Sequence, residues 1–227
     1  MGMCLKPRYG WLKSAAGLVL FWAMAGAGRA GLADLSDKWL ASVESRWGRD
    51  AVPRLALWQR LLGDSKTARV NGRPDTTALR QVNDFFNQVP FASDIKHWNM
   101  EDYWATPSEM LASFGGDCED YAIAKYLSLK EIGIPVAQLR MTYVRVVKHN
   151  EPHMVLAYYP APGADPLILD NLVGDIRSAS QRTDLEPVYG FNEDDLWVAA
   201  GAVNPGGASN VRLWRELLAR LAKEKSW

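Results

Sequence analysis

Two cysteines and three histidines are all that this chain of 227 residues contains. It has no internal repeat, no low-complexity tract and no excess charge of either sign, with 26 basic groups against 26 acidic ones. A chain without a basic surplus is a poor partner for nucleic acid. So few cysteines also rule out a disulfide framework, so any stability has to come from a packed core. The material for one is present: almost half the residues are hydrophobic and ten are tryptophan, which excludes a disordered chain.

The first thirty residues differ from the rest. Lys6, Arg8 and Lys13 form a basic flank, Ser14 to Ala27 is an apolar run, and Gly28-Arg29-Ala30 puts small residues where a signal peptidase looks. An apolar run of about fourteen residues is shorter than the roughly twenty that span a bilayer, so residues 1–30 read as a removable export signal rather than an anchor. Residues 31–227 then read as a single domain. Removing Lys6, Arg8, Lys13 and Arg29 from the 26 basic groups leaves 22 against 26 acidic, so the remaining chain is mildly acidic. Cys4 goes too. Cys118 is then the only thiol, unable to form an internal disulfide and free to react.

The stretch around that thiol is FGGDCEDYAIAKYLSLKEIGIP, residues 114–135. A glycine pair delivers Cys118 to the first turn of a helix that stops at Gly133 and Pro135. Lys125, Ser128 and Glu131 mark its wet stripe, and Cys118 lies two turns before Lys125, which points the thiol to a cleft. Upstream, apolar residues at helical spacing predict helices over residues 34–47, 52–62 and about 77–89, the last capped by Asp75 or Thr76 and ended by Pro90. Residues 91–107 hold Phe91, His97, Trp98, Tyr103 and Trp104 without either period, which predicts a loop covering something. Residues 108–112 form a short helix. Downstream, alternation predicts strands over 138–147, 153–159 and 167–172. The turn sequence PAPGADP joins the last two as an antiparallel hairpin. Residues 187–197 add a strand and a loop, and 211–223 an amphipathic closing helix with Leu213, Leu217 and Leu221 on one face.

A thiol attacks a carbonyl only as thiolate, and the free N–H groups of a helix N-terminus favour that anion. Its base should be a histidine. His97 and His149 fall in loops. His153 begins a strand, and the hairpin brings the start of that strand beside the end of the next, where Asp170 can orient and charge-stabilise the imidazole. The alternative is a small buried cysteine and a structural histidine. Asp117, Glu119 and Asp120 pull the other way. Asp117 as N-cap and Asp120 three residues on can satisfy orphan N–H groups. Yet three carboxylates so near a thiolate oppose its ionisation, and a hard divalent ion with oxygen ligands, calcium first, would balance them.

The run WATPSEMLASFGGDCEDYAIAKY, with HMVLAY, ILDNL and YGFNEDDLW, resembles the bacterial transglutaminase-like cysteine proteinases, and within them the periplasmic LapG type, over residues 91–197. The resemblance implies an α+β fold with a papain-like core, in which the cysteine helix packs on an antiparallel sheet carrying histidine and aspartate. It implies Cys118 as nucleophile, His153 as base and then acid, Asp170 as orienter, and calcium held by Asp117, Glu119 and Asp120. Proteins of this type clip the N-terminal region of a large surface adhesin in the periplasm, releasing biofilm cells. The periplasmic domain of an inner-membrane cyclic-di-GMP receptor holds them inactive. Trp104 is the residue to consider for the oxyanion partner. Three functions stand at this point: a calcium-dependent cysteine endopeptidase, acyl transfer to an amine through the same thioester, and a binding module whose thiol is merely buried.

Overall fold

The protein is described here by a computed structural model covering residues 31, 34–67, 69–70, 73–74, 77–198, 203–205, 211–224 and 226. The stretch assigned to an export signal, residues 1–30, and the proposed caps Asp75 and Thr76 lie outside the described residues. Among the described residues three helices come first: α1 (Asp37–Trp47), α2 (Ala51–Thr67) and α3 (Thr77–Phe86), with a ribbon of two short strands, β1 (Arg69–Val70) and β2 (Arg73–Pro74), between the last two. Ser36 starts α1 by accepting the Trp39 N–H. α2 runs five residues beyond the predicted end at Leu62. A short α4 (Asp94–His97) and α5 (Pro107–Ser113) lead to α6 (Cys118–Ile132), and α7 (Arg212–Glu224) closes the chain.

Among the described residues the main sheet has seven antiparallel strands in the order β6-β5-β4-β3-β7-β8-β9. They are β3 (Leu139–Val146), β4 (Glu151–Tyr158), β5 (Leu167–Leu169), β6 (Arg177–Ser178), β7 (Leu185–Phe191), β8 (Asp195–Val198) and β9 (Val203–Pro205). The predicted hairpin is β4 with β5, paired Leu156 to Leu169 and Tyr158 to Leu167. The region expected to give one strand and a loop forms two strands, β7 and β8. The architecture is α+β: helices gather on one face of the sheet, with α6 between α2, α3 and α5 on one side and β4 on the other.

That central place explains a difference from the predicted wet stripe. Lys125 and Ser128 on α6 are fully buried, because the helix is covered by helices and sheet alike and has no solvent face along its middle. Ser128 is satisfied there by the Trp58 indole N–H at 2.9 Å. Lys125 Nζ has no hydrogen-bond partner among the described residues and lies 5.8 Å from the centre of the Tyr121 ring.

Candidate active site

The approach to Cys118 is built from caps and close contacts. The sequence Thr106-Pro107-Ser108-Glu109 starts α5 as a capping box, the Thr106 hydroxyl accepting the Glu109 N–H and the Glu109 carboxylate accepting the Thr106 N–H. Phe114 ends α5 in the left-handed region at φ 55°, turning the chain into the glycine pair. Both glycines are required by space. A Cβ on Gly115 would lie 2.6 Å from the His97 ring, and one on Gly116 would lie 2.9 Å from the Asp120 carboxylate. The 91–107 segment, expected as a loop throughout, contains the short α4 and gives Pro107 to α5, and it covers the start of α6 as expected. The Ala92 N–H donates to Gly116 O and the Ala105 N–H to Asp120 Oδ1.

Cys118 is the first residue of α6, where helix N–H groups lack intrahelical acceptors. Its thiol is half-buried and donates to Glu119 Oε2 at 3.1 Å. Burial, then the Glu119 charge and hydrogen bond, push the thiol pKa well up, and the Met154 N–H on β4 opposes them. Strand β4 therefore passes beside the sulfur, and His153 is the residue before Met154. His153 is buried, and its Nε2 lies 2.8 Å from Asp170 Oδ1. The hairpin thus brings this histidine and aspartate together, leaving Nδ1 as the ring nitrogen for proton exchange with a thiol. The other two histidines are elsewhere: His97 bonds the Ser113 hydroxyl at 2.8 Å, and His149 is exposed in the β3–β4 turn.

Asp170 is 1% exposed, and each of its oxygens is committed. Oδ1 accepts from His153 and from the Leu172 N–H at 3.0 Å, and Oδ2 accepts from Arg182 Nη2 at 2.7 Å. Burial would raise this carboxyl; the His153 hydrogen bond and charge, Leu172 and Arg182 outweigh it and hold the pKa at about 2. Sequence reasoning did not find Arg182. It ends a 3-10 turn in a polar stretch without periodicity, and its spacing two residues before Asp184 was the only signal.

The acids form a second group. One oxygen each from Asp94, Asp117 and Glu119 lie within 4.8 Å of one another. Burial first, then the Glu119 charge, raises Asp117 to about 8, and burial first raises Asp94 to about 6. Asp94 Oδ1 and Asp117 Oδ1 are buried without a hydrogen-bond partner among the described residues. Orphaned hard oxygens converging on one point are what a calcium-type cation requires, so these residues fit such an ion. Asp120, predicted as a third ligand, is not in this cluster. Its carboxylate is fully buried and accepts the Ala105 N–H at 2.7 Å and the Asp117 N–H at 3.2 Å, the capping role that its spacing also predicted. Asp94, twenty-four residues before Cys118 on another element, occupies the third corner. The Tyr103 N–H, donating to Asp94 Oδ2 at 2.5 Å, ties it into the covering loop. Trp104 points into the core, stacked on Phe191 with ring centres 6.0 Å apart.

The last helix fastens this loop from behind. Arg220 of α7 donates to Trp104 O and pairs with Glu109, and its guanidinium lies 4.4 Å over the Tyr103 ring. Glu224 accepts from the Thr106 and Ser108 hydroxyls at 2.6 and 2.5 Å; burial raises its pKa to about 7 against the pull of those two bonds.

With this geometry in view, the comparisons with known proteins are specific. The profile of the bacterial transglutaminase-like cysteine proteinase BTLCP matches residues 63–195. The Legionella pneumophila LapG structure treated with EGTA matches with 38% identity and a TM-score of 0.70, covering 81% of this chain and 96% of that one. A further structure of Legionella pneumophila LapG matches at 38% with a TM-score of 0.68, and its calcium-bound form at 38% with 0.67, the latter with 98% of that chain covered. No curated protein matches. A relative of this similarity is therefore known with calcium bound, and this chain carries an acidic cluster able to take a metal. The chain belongs to the family of bacterial transglutaminase-like cysteine proteinases.

Proposed function

We propose that this protein is a periplasmic, calcium-dependent cysteine endopeptidase that cleaves the N-terminal region of a large surface adhesin and so releases biofilm cells. The observation that carries the catalytic part is the 2.8 Å His153–Asp170 pair on the strands beside a thiol at the start of α6. In this reading the Cys118 thiol gives its proton to His153, and the sulfur attacks a peptide carbonyl carbon. The tetrahedral intermediate collapses as His153 returns the proton to the leaving amine, which breaks the C–N bond and leaves a thioester. Water then adds, its proton passing to His153, and the C–S bond breaks to release the acid and restore the thiol. Asp170 orients the imidazole and stabilises its charged form.

Asp94, Asp117 and Glu119 would hold the calcium ion, which when bound supplies the positive charge that three carboxylates beside a thiol lack. Asp120 positions the Asp117 backbone and the loop at Ala105. The adhesin substrate, the periplasmic location and control by the periplasmic domain of an inner-membrane cyclic-di-GMP receptor follow from the resemblance of the GDCED core and its neighbours to the LapG type. Residues 1–30, with the composition of an export signal, agree with that location.

The test is incubation of purified protein with an N-terminal adhesin fragment, read by gel and mass spectrometry. The parent produces two fragments whose masses sum to the substrate plus one water. Cys118→Ala produces none, a loss of at least about 10³-fold. EGTA stops cleavage and added calcium restores it. Cutting by Cys118→Ala at the parent rate sinks the mechanism, and cutting unaffected by EGTA sinks the calcium requirement.

A further inference from the structure

We infer that Arg182 is a positioning residue of the reaction: its guanidinium fixes the rotation of the Asp170 carboxylate so that Oδ1 stays on His153 Nε2. The inference rests on the cysteine protease reading of Cys118, His153 and Asp170, and extends it by one residue.

The geometry holds Asp170 at its main chain and at both carboxylate oxygens. Its backbone carbonyl accepts from Nδ2 of Asn87, the residue after α3, at 2.8 Å, which holds the main chain where the aspartate leaves β5. The Leu172 N–H shares Oδ1 with the imidazole. Rotation about the bond to the carboxyl carbon is resisted at Oδ1 by those two donors, and the contact at Oδ2 anchors the other oxygen. That contact is Arg182 Nη2 at 2.7 Å, from a side chain 2% exposed. Arg182 is itself held. Its Nε and Nη2 bond the two oxygens of Asp184 at 2.9 and 2.7 Å. The Val147 N–H donates to Asp184 O at 2.9 Å, tying this turn to the end of β3. A planar guanidinium can bridge two carboxylates in fixed directions, which an ammonium group cannot do.

The arrangement also answers an electrostatic demand of the cycle. His153 alternates between imidazole and imidazolium, so for part of each turnover it offers Asp170 no positive charge. A buried carboxylate left alone would then take up a proton and lose its grip on the ring. Arg182 is always charged and supplies a permanent counter-ion. The charged groups around Asp170 are His153 from β4, Lys125 from α6, and Arg182 with Asp184 from the turn after β6; Asp84 of α3 faces Lys125 in turn. Among these, Lys125 Nζ makes no hydrogen bond, so Arg182 is the cation that also sets direction.

The experiment follows iodoacetamide labelling of Cys118 against pH, by mass spectrometry of the Cys118 peptide, with calcium chloride present throughout. No substrate is needed. His153→Ala serves as the reference for a thiol without its base, and thermal melts check folding. We expect the rising limb of the parent to lie at the lowest pH and that of His153→Ala at the highest. Arg182→Gln should move the limb upward by about one pH unit. Arg182→Lys should recover part of the shift, because the charge returns without the fork. Asp184→Asn, which frees the outer end of Arg182 at a half-exposed carboxylate, should move it less and in the same direction. A folded Arg182→Gln with the parent profile overturns the inference. If Arg182→Gln does not fold, a parent-like profile in Asp184→Asn overturns it and a shifted one upholds it. Should His153→Ala match the parent, the triad reading itself fails, an outcome distinct from failure of Arg182 alone.

Discussion

Two buried carboxylate neighbourhoods flank Cys118, and they are built in opposite ways. On the β4–β5 side, Asp170 is among the most buried acids in the protein, yet its pKa is held at about 2 because the chain supplies a histidine, an arginine and a backbone N–H. On the loop side, Asp94 and Asp117 are raised to about 6 and about 8, and Glu119 spends an oxygen on the thiol. Burial pushes both groups the same way. What differs is whether the cation is encoded in the chain. The first neighbourhood has its counter-charges in the chain; the second gathers acids for which the described residues supply no cation.

The largest effect comes from exchanging one acid in each. Asp170→Asn should lower adhesin cleavage on the order of 10²–10⁴-fold, the usual worth of general acid–base catalysis, and leave calcium affinity by titration calorimetry unchanged. Asp94→Asn should do the reverse, weakening calcium binding by ~10-fold or more, with cleavage recovered at saturating calcium. Calcium affinity lost in Asp170→Asn would mean that the two neighbourhoods are one coupled unit.

A smaller contrast should appear in stability against pH. Without calcium, folding raises Asp117 to about 8 from an ordinary value of ~3.9, so its contribution is complete below about pH 4 and declines as pH rises through about 8. Asp170 is depressed to about 2, so its contribution is present above about pH 4 and is lost as pH falls through about 2. Melts in EGTA should therefore show Tm falling between pH 5 and 8. Calcium at a hundred times its Kd should add about 2.7 kcal/mol and flatten that slope. A flat profile in EGTA would remove the distinction between the two sides.

The smallest effect concerns Lys125, which sits near Asp170 as a charge without a hydrogen bond. Burial lowers it to about 7, so the unfolded chain binds a proton that the fold does not, and the penalty lessens as pH rises above 7. Lys125→Met should raise Tm at pH 7 by ~2–4 °C, corresponding to about 1 kcal/mol. A lower Tm would instead count Lys125 with Arg182 as a working counter-ion.

The parts of this site that could be read in the sequence are those with local signals. Gly115-Gly116-Asp117-Cys118 before a run of helix formers places the thiol, and a turn between two apolar strands places His153 against Asp170. Asp94 and Arg182 had no such signal. Asp94 starts the four-residue α4 and Arg182 follows a 3-10 turn, elements too short to show a period, and each acts on a residue farther along or back in the chain, Asp94 on Asp117 and Arg182 on Asp170. Nothing periodic marks them. Lys125 misled for a related reason: a polar residue every three or four positions describes a wet face only if a helix has one. α6 is enclosed by neighbours that its own sequence does not announce. The fold was legible to the extent that strands alternate and helices are capped, and β6, at two residues, is too short to alternate.

The fastening by α7 bears on when the site is completed as the chain folds. The bonds from Thr106 to Glu224 and from Trp104 to Arg220 join residues 118 and 116 positions apart. α5, the glycine pair and the start of α6 are local in sequence and can form before α7 docks. Until it does, the Thr106 and Ser108 hydroxyls lack their acceptor and the loop beside the acids has no backing. A partly folded copy therefore carries the thiol without a finished site around it, and completion of the site waits on the docking of the final helix.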